Sequence, residues 1–249
     1  MSKSTNANKS NSVERLDKIF SNLGICTRSE CKAAAQRGMI EINGVVCKRS
    51  DTKINLTTDI ITYKGQLINT TKYVYYMLYK PAGYITANED KSQPVVFDLI
   101  RDTRKDLSAV GRLDKDTTGL LLITNDGEIN HYLLSPKHHV PKRYEALIDG
   151  RLTPEAIHML ETGIDIGDDK PTLPATVEIL DSENPQHVAI TITEGRFHQV
   201  KRMFESVNCP VLQLHRSNFG PLALDSTLSP GEYRELLQEE ITAIKNARS

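Results

Sequence analysis

Residues 111–127 read GRLDKDTTGLLLITNDG, and this stretch decides how the rest of the chain is interpreted. The apolar run at 120–123 is short and ends on the turn signal at 125–127, a pattern typical of a buried strand. Asp114 lies just before the run, so we expect its carboxylate on a loop that a rigid strand holds in place. Asp also favours turns and caps, and from this stretch alone the structural and chemical roles are equally favoured.

The composition is that of an ordinary globular protein, with 39% hydrophobic residues, 25% charged residues and no tryptophan. A chain of 249 residues has room for one large domain or two small ones. We find no apolar stretch as long as a membrane span and no secretory h-region, and we expect a cytoplasmic protein without membrane contact. The cysteines at 26, 31, 47 and 209 include no C-x-x-C pair, which indicates reduced thiols and no zinc site.

Charge is distributed unevenly along the chain, although the net charge is only −1. Residues 13–68 carry nine Lys or Arg and six Asp or Glu, whereas residues 69–249 carry twenty and twenty-six. A basic module ahead of a larger acidic one points weakly to nucleic acid. The polar segment 69–74 is the expected linker, and the Ser/Asn/Lys-rich residues 1–12 are expected to form a disordered tail.

The basic module predicts two helices followed by a small sheet. Apolar residues recur at helical spacing over 13–23, and Gly24 ends that helix. Thr27 with Glu30 is typical of a capping box that begins a second helix, ending near residue 38. Short strands are expected at 40–42, 45–48 and 60–63, with Asn43 and Gly44 as a hairpin turn.

This module resembles the S4 RNA-binding domain, over residues 13–68. The resemblance is carried by R-S-E at 28–30, R-G-x-I-x-I-N-G-x-x-C at 37–47 and a later D-x-I strand. It implies that Arg28, Ser29, Lys32 and Arg37 face RNA phosphates. Such contacts supply affinity and register rather than sequence reading. A merely solvated charged face is the alternative for these side chains.

Four stretches of the second module carry candidate functional residues. They are YYMLYKPAGYIT at 75–86, the stretch quoted first, SPKHHVPKRYEALIDG at 135–150 and ITEGRFHQVKRMF at 192–204. The adjacent His138 and His139 diverge on most backbones and make a poor metal site. Asp114 and Asp116 are too close in sequence for the paired acids of a glycosidase. The chain has no glycine-rich phosphate loop and no Rossmann fingerprint, which argues against a nucleotide cofactor.

Together, these motifs closely resemble the RsuA/RluB/RluE/RluF group of pseudouridine synthases. K-P-A-G-x-x-T, G-R-L-D-x-D-T-T-G-L-L-L-x-T-N-D-G, K-x-Y and E-G-R-F-H-Q-V-K-R-M-F occur in the family order. S-P-x-H-H-x-x-K-x-Y and P-G-E-Y-R favour the RsuA branch, which implies isomerisation of one uridine of 16S rRNA, equivalent to uridine 516. A 23S rRNA target and a non-catalytic S4-containing assembly factor are the alternatives.

The resemblance implies a role for several side chains. Asp114 would be the nucleophile, attacking either the ribose or the uracil ring, with Lys201 as its counter-charge. Tyr144 would stack on the uracil and accept a proton in the glycosidic step. Arg112 would fill the space left by the flipped nucleotide, and Leu214 would form an apolar wall. Phosphate contacts are expected from Lys80, Lys142, Arg143, Arg196 and Arg202.

The implied architecture is α+β, with a mainly antiparallel mixed-sheet catalytic domain at 75–249 built from two ferredoxin-like halves. Strands are expected at 75–80, 120–124, 144–149, 175–180 and 187–193. Helices are expected at 95–101, 127–134, 153–162, 196–207 and 229–245. The reaction implied by the resemblance needs neither metal nor cofactor, ribosomal RNA is the expected partner, and we expect a monomer.

Overall fold

A computed structural model describes residues 13–71 and 73–247, so the predicted tail at 1–12 lies outside the described residues. The chain divides into two compact units. The first ends at Tyr73 and also includes Asp102–Leu107, and the second comprises Val74–Arg101 and the residues from Ser108 onward. The segment Asp102–Leu107 lies within the sequence predicted as catalytic domain. It groups with the first unit, where Thr103 Oγ1 donates to Leu23 O at 2.8 Å.

The first unit is built from two helices and six short strands within its described residues. Its elements are β1 (Val13–Arg15), α1 (Leu16–Asn22), α2 (Arg28–Gln36), β2 (Ile40–Ile42), β3 (Val45–Val46), β4 (Lys53–Asn55), β5 (Ile61–Tyr63) and β6 (Gln66–Ile68). Strand β1 pairs with β4, and the other strands form an antiparallel sheet in the order β3-β2-β5-β6. Leu16, Phe20, Ala35, Ile40 and Ile61 are wholly buried between the helices and this sheet.

Local sequence signals account for most of this unit. The capping box is confirmed, because Glu30 N–H donates to Thr27 Oγ1 and Thr27 N–H donates to Glu30 Oε2. The hairpin turn is confirmed as well, with positive φ angles of 52° at Asn43 and 78° at Gly44. The first helix begins at Leu16 rather than at residue 13, because Val13–Arg15 is drawn into pairing with Lys53–Asn55.

The second unit is a large sheet with helices packed on it. Its elements are β7 (Tyr75–Lys80), a 3-10 helix (Val96–Leu99), β8 (Ser108–Ala109), β9 (Thr118–Thr124), α3 (Gly127–Leu134), a 3-10 helix (Pro136–His138), β10 (Lys142–Ile148), α4 (Pro154–Thr162), β11 (Thr176–Ile179), β12 (His187–Ile192), α5 (Gln199–Glu205), β13 (Val211–Phe219), β14 (Leu222–Ala223), β15 (Tyr233–Glu235) and α6 (Gln238–Asn246). None of the helices among the described residues has both the length and the apolar character needed to cross a membrane.

Within the described residues, nine strands of this unit form one mixed sheet. Seven follow the order β11-β12-β10-β13-β9-β7-β15, while β14 pairs with β13 and β8 with β9. Every pairing is antiparallel except that of β9 with β13, which is parallel. The predicted α+β class with a mainly antiparallel mixed sheet is confirmed.

Strand β9 is the buried strand that the sequence predicts. Leu120, Leu121, Leu122 and Ile123 are all wholly buried. Side chains alternate between the two faces of a strand, so burial of all four shows that both faces of β9 are covered. Each such side chain stabilises the fold by about 1.5–3 kcal/mol. The loop that precedes β9 is therefore anchored on one of the best-packed elements of the unit.

Three predicted helices are wrong in extent, and the one expected over 196–207 covers only Gln199–Glu205. The helix expected over 229–245 begins only at Gln238, because Gly231 turns the chain with a φ of 93° and Tyr233–Glu235 then pairs with β7. The helix expected over 95–101 is only the 3-10 turn Val96–Leu99. The nine-residue strand β13 was not predicted at all.

The parallel contact between β9 and β13 requires a glycine at position 119. Gly119 has a φ of 108°, and a Cβ built on it would lie 2.3 Å from Arg216 O and 2.6 Å from Arg216 N. No side chain fits in that space, so only glycine lets the two strands come into register. Thr118 Oγ1 adds a contact across the same seam, 2.9 Å from His215 Nδ1.

We expect Gly119→Ala to lower the free energy of unfolding by about 2–4 kcal/mol, because the methyl group would force β9 and β13 apart at a strained φ. Urea denaturation measures this change. Gly127→Ala is the matched control: Gly127 begins α3, and a Cβ added there meets nothing within 4 Å. Its stability should stay the same or rise by up to about 1 kcal/mol. Equal stability of the two variants would contradict the close approach.

Candidate active site

The loop that carries Asp114 is held by hydrogen bonds from several directions. Thr86 Oγ1 donates to Leu113 O at 2.9 Å and accepts from Leu113 N–H at 3.1 Å. Thr117 N–H donates to Asp114 O at 3.1 Å, which closes a tight turn around the aspartate. Gly83 N–H donates to Lys115 O at 2.8 Å. A side chain on a loop braced in this way is held in a fixed position.

Lys80 is the strongest of these braces, and its placement corrects the expected phosphate contact. The side chain is wholly buried at the end of β7. Its Nζ donates to the carbonyl oxygens of Pro81 (3.1 Å), Asp114 (2.9 Å), Lys115 (3.3 Å) and Thr117 (2.8 Å). Burial lowers the pKa of Lys80 to about 8. A group sealed among four carbonyls does not reach a phosphate, so Lys80 positions the loop.

The carboxylate of Asp114 faces two basic side chains at the start of α5, Lys201 within the helix and His198 at its N-cap. Lys201 Nζ lies 3.4 Å from Asp114 Oδ2, and His198 Nε2 lies 3.5 Å from Asp114 Oδ1. The shorter contact of Lys201 is with Asp116, at 2.6 Å, and this hydrogen bond lowers the pKa of Asp116. Lys201 is therefore shared between two carboxylates, while the Asp114 side chain stays 29% exposed.

A cavity of about 690 Å³ opens beside Asp114. Its volume lies in the range of ordinary small-ligand sites. Seven of the residues predicted from sequence line it together: Arg112, Asp114, Lys142, Tyr144, Arg196, Lys201 and Leu214. Four distant motifs thus meet at one site. No group of three or more His, Cys, Asp or Glu among the described residues is placed to hold a metal ion.

Sheet register brings the aromatic and apolar walls of this cavity together. Tyr144 lies on β10, opposite Ile190 of β12 on one side and Arg216 of β13 on the other. Leu214 lies two residues before Arg216 and is 7% exposed. Residues two apart on a strand share one face, so Leu214 and Arg216 both contribute to the cavity wall.

Comparison with known protein families shows to which family the chain belongs. Residues 74–206 match the family model described as RNA pseudouridylate synthase. The chain belongs to this family. The synthase is therefore an RNA-modifying isomerase, and the matched residues include Asp114, Tyr144 and Lys201.

Similar proteins extend this likeness over nearly the whole chain. The "Uncharacterized RNA pseudouridine synthase YtzG" of Bacillus subtilis is 42% identical over 91% of this chain and 96% of its own. The "Ribosomal small subunit pseudouridine synthase A" of Vibrio parahaemolyticus is 37% identical over 93% and 100%. A solved structure titled "Crystal structure of pseudouridylate synthase" is 38% identical, covers 92% of this chain and 99% of its own, and superposes with a TM-score of 0.66.

Three arginines that were expected to hold phosphates are instead engaged within the synthase. Arg143 forms two hydrogen bonds to Glu178, at 2.6 and 2.9 Å, across the intervening strand β12. Arg196 donates to Glu194, to Lys170 O and to Pro171 O. Arg202 donates to Asp168 at 2.6 Å and to Ile166 O. Arg196 ties residues 170–171 to the turn before α5, and Arg202 ties residues 166–168 to α5 itself, so all three guanidinium groups form hydrogen bonds to protein acceptors.

Lys142 differs from these arginines because it lines the cavity without an ion-pair partner among the described residues. It is 9% exposed and lies 5.8 Å from the centre of the Phe219 ring. Burial, together with the nearby charge of Arg216, lowers the pKa of Lys142 to about 8. Its ammonium group therefore lies where an anionic part of the substrate would be stabilised.

Sequence reasoning missed several residues of the site. Phe197 and His198 stack at a ring separation of 3.8 Å and line the cavity, with Phe197 76% exposed. Gln199 is buried and accepts from Arg196 N–H, which shapes the turn before α5. Arg216 lies on the strand that was not predicted. The quoted R-F-H-Q segment contained the first three, but no local pattern shows which of its side chains meet Asp114.

In the first unit, the four residues implied by the S4 resemblance lie on or directly after α2. Arg28, Ser29 and Lys32 lie on α2, and Arg37 follows its last turn. All four are exposed, and Arg28, Lys32 and Arg37 form no ion pair with another described residue. Cations of this kind remain available to an anionic partner.

We expect Lys80→Met to lower the free energy of unfolding by about 2–4 kcal/mol and to reduce pseudouridine formation, because buried carbonyls of the Asp114 loop would lose their donor. Urea denaturation and a turnover assay measure the two effects. Lys91→Met, at an exposed lysine of the same unit, should change stability by no more than about 0.5 kcal/mol. If Lys80→Met kept its stability but bound RNA more weakly, Lys80 would contact a phosphate after all, as the sequence predicted.

Proposed function

We propose that the synthase isomerises one uridine of 16S rRNA, equivalent to uridine 516, with Asp114 as the nucleophile. The observation that carries the proposal is the position of Asp114 on a braced loop in the same cavity as Tyr144, Leu214 and Lys201. The name of the Vibrio relative, a small-subunit pseudouridine synthase, supports a small-subunit target.

The conversion of uridine to pseudouridine exchanges one bond for another, and the nucleotide neither gains nor loses atoms overall. The bond from uracil N1 to ribose C1′ breaks, and a bond from C5 to C1′ forms. C5 loses a proton and N1 gains one, so the product is an isomer of the substrate. What the protein must supply is a nucleophile, a closed environment that retains the detached base, and a group that accepts and returns a proton.

Asp114 supplies the nucleophile in this scheme. Its carboxylate attacks either ribose C1′ or uracil C6, forms a covalent adduct and later departs. Lys201 and His198 lie within 3.5 Å of its two oxygens. The ammonium charge of Lys201 at that distance stabilises the carboxylate before attack and after departure. The hydrogen bonds from Lys80 and Thr117 to the loop backbone keep the carboxylate in line with the bound nucleotide.

Tyr144 and Leu214 supply the surfaces between which the base turns. The ring of Tyr144 stacks on the uracil, and its hydroxyl accepts a proton in the glycosidic step. Leu214 covers another side with an apolar surface that makes no hydrogen bond to the ring, so the detached base rotates without losing a fixed partner there. Both residues belong to strands, which hold them in place during that rotation.

The target nucleotide must leave its helix before it can enter the cavity. Flipping a base costs a few kcal/mol in lost stacking and pairing. Arg112 is exposed next to Asp114, and we propose that it occupies the space that the flipped nucleotide leaves. Phe197 offers an exposed aromatic face on the same cavity, which suits stacking of a neighbouring base.

RNA contacts outside the cavity are proposed for the first unit, as an S4-like RNA-binding domain. Arg28, Ser29, Lys32 and Arg37 would bind phosphates through their exposed side chains. Such contacts are independent of sequence and raise the local concentration of RNA near the catalytic unit. The basic first unit would thereby help a catalytic unit of net negative charge to bind RNA.

The central prediction is that Asp114→Asn abolishes pseudouridine formation while RNA binding is retained, because the amide is isosteric but is not a nucleophile. Pseudouridines are mapped in rRNA from cells that lack the gene and carry either wild type or the variant. The expected result is loss of one pseudouridine in 16S rRNA that only wild type restores. If cells without the gene lose a pseudouridine in 23S rRNA instead, the target lies in the large subunit. If they lose no pseudouridine, the assembly-factor alternative is favoured.

Asp116→Asn is the matched control for that experiment. Asp116 lies two residues away, its side chain is 72% exposed, and its main contact is Lys201. We expect this variant to keep activity within about tenfold of wild type, since one exposed ion pair contributes at most about 1 kcal/mol. If Asp116→Asn were inactive and Asp114→Asn active, the assignment of the nucleophile would be reversed.

A second prediction concerns pH and follows from the lowered pKa of Lys142, about 8. A lysine is a cation only below its pKa, so RNA affinity should fall between about pH 7 and 9, by at most about tenfold per pH unit. The measurement is the dissociation constant of the inactive Asp114→Asn protein. Adding Lys142→Arg should remove the fall, because a guanidinium stays protonated. Identical pH profiles would show that Lys142 contacts no phosphate.

A further inference from the structure

His198, at the N-cap of α5, departs from local backbone and capping preferences in two ways. Its φ is 48° and its ψ is 32°, in the left-handed region that residues with a Cβ adopt at a cost. An N-cap side chain usually accepts a hydrogen bond from the first N–H groups of its helix, but the side chain of His198 accepts none. Departures of this kind at the edge of a cavity are typical of functional residues.

The ring of His198 is fixed by stacking and lies beside Asp114. The centres of the His198 and Phe197 rings are 3.8 Å apart, with an angle of 18° between their planes. Nε2 of His198 lies 3.5 Å from Asp114 Oδ1, and both residues line the cavity. Neither ring nitrogen forms a hydrogen bond with another described residue. The imidazole therefore faces the nucleophile with both nitrogens available.

Other titratable side chains in the cavity wall are already engaged. Lys142 and Lys201 act as cations, so they have no free electron pair for a proton. Glu194 accepts three hydrogen bonds, which involve both of its carboxylate oxygens. Tyr144 serves the glycosidic step. Histidine is the residue type best suited to take up and release a proton near neutral pH.

One proton transfer of the reaction still lacks a base. After C5 has bonded to ribose C1′, it carries its original hydrogen, and the C5–H bond must break before the ring regains its C5–C6 double bond. C5 is bonded to C6 in uracil and to C1′ once the new bond exists. Asp114 attacks one of these two atoms, so by either route C5 lies one bond away from the atom attacked. The base for this proton is needed beside Asp114, where His198 lies.

We infer that His198 is the general base that removes the proton from C5 after the C5–C1′ bond has formed. This inference rests on the proposed function, because it takes a uridine bound beside Asp114 as the substrate. The neutral ring, with its hydrogen on Nδ1, accepts the proton at Nε2. The distance of 3.5 Å to Asp114 leaves Nε2 free of a strong hydrogen bond before the substrate binds.

The electron pair of the C5–H bond restores the C5–C6 double bond. If Asp114 is bonded to C6, this step expels it, and if Asp114 has attacked C1′, the step leaves a negative charge on N1. By both routes N1 takes up one proton from water, and His198 releases one to water. The His198 side chain is 41% exposed, so this exchange with solvent is open to it. Uridine and pseudouridine therefore contain the same atoms.

Asp114 itself is the competing base, but on one route only. When its oxygen is bonded to C6, it remains bonded until the C5–H bond breaks, so a separate base is required. When it has attacked C1′, it is free again before the proton leaves. The experiment must therefore report on the C5–H bond itself.

His198→Asn removes the proposed base with little change in the backbone. Asparagine tolerates a positive φ, and its amide does not take up a proton near neutral pH. The substrate is a 16S rRNA fragment that contains the proposed target uridine. We expect the single-turnover rate of pseudouridine formation to fall by about 100-fold to 10,000-fold, the usual contribution of a general base.

An isotope effect distinguishes loss of the base from a general loss of structure. The fragment is prepared with hydrogen or deuterium at C5 of the target uridine, and the two single-turnover rates are compared for each protein. A C5–D bond breaks more slowly than a C5–H bond. Loss of the base should make this step rate-limiting, so the ratio of the two rates should be larger in His198→Asn than in wild type. A structural defect would slow earlier steps and would not raise the ratio.

His139→Asn is the matched control. His139 is also an exposed histidine in the left-handed region, with a φ of 47° and a ψ of 36°, and it belongs to the same unit without lining the cavity. This variant should keep the wild-type rate and isotope ratio. Full activity of His198→Asn, or a slow reaction with an isotope ratio no larger than that of wild type, would overturn the inference.

The same assays separate this inference from the proposed function. If Asp114→Asn forms pseudouridine as fast as wild type, the proposed nucleophile is wrong, whatever the isotope ratio of His198→Asn. If Asp114→Asn is inactive while His198→Asn keeps the full rate, the proposed function stands and another group removes the proton. If the target lies in 23S rRNA, the isotope comparison is made on that RNA and tests His198 in the same way.

Discussion

The parallel contact between β9 and β13 is the constraint on which the site depends. Among the described strands, it is the junction between two antiparallel sets, β11-β12-β10-β13 and β9-β7-β15. Gly119 makes the junction possible, because any side chain at that position would collide with the backbone of Arg216. The loop of Asp114 ends where β9 begins, and Leu214 lies on β13. The cavity therefore forms at the seam, with Asp114 from one set and the walls from the other.

Buried positive charge has two different uses in this catalytic unit. Lys80 is surrounded by four carbonyl oxygens, and its charge is fully employed in shaping the loop of Asp114. Lys142 and Arg216 line the cavity, and neither forms an ion pair with another described residue. Leaving such groups unsatisfied lowers the stability of the free protein, a common cost at functional sites. The unit has a net negative charge, so its overall charge does not reveal these buried cations.

Much of the fold could be predicted where the signals are local. The capping box at Thr27 and Glu30, the Asn43 turn and the buried run at 120–123 depend only on neighbouring residues. Strand β15 was mistaken for part of a helix, because its pairing with β7 joins residues more than 150 positions apart. The nine-residue strand β13 was missed for the same reason. Its own sequence carries no strong local strand signal, and its conformation depends on pairing with β10 and β9, which are distant in the chain. Tertiary pairing overrides local preference in such segments.

The motifs around Asp114, Tyr144 and Lys201 were enough to predict from the sequence alone which family the chain belongs to, and the family comparison confirmed that membership. Only the tertiary structure decided what each basic side chain does. Lys80 and Arg202 were both expected from their motifs to contact phosphate, yet Lys80 is buried among carbonyl oxygens and Arg202 is bound to Asp168. The physical reason is that residue type and spacing specify which interactions a side chain can form. Its actual partner is supplied by segments far away in the chain, and burial then determines whether any charge is left for RNA.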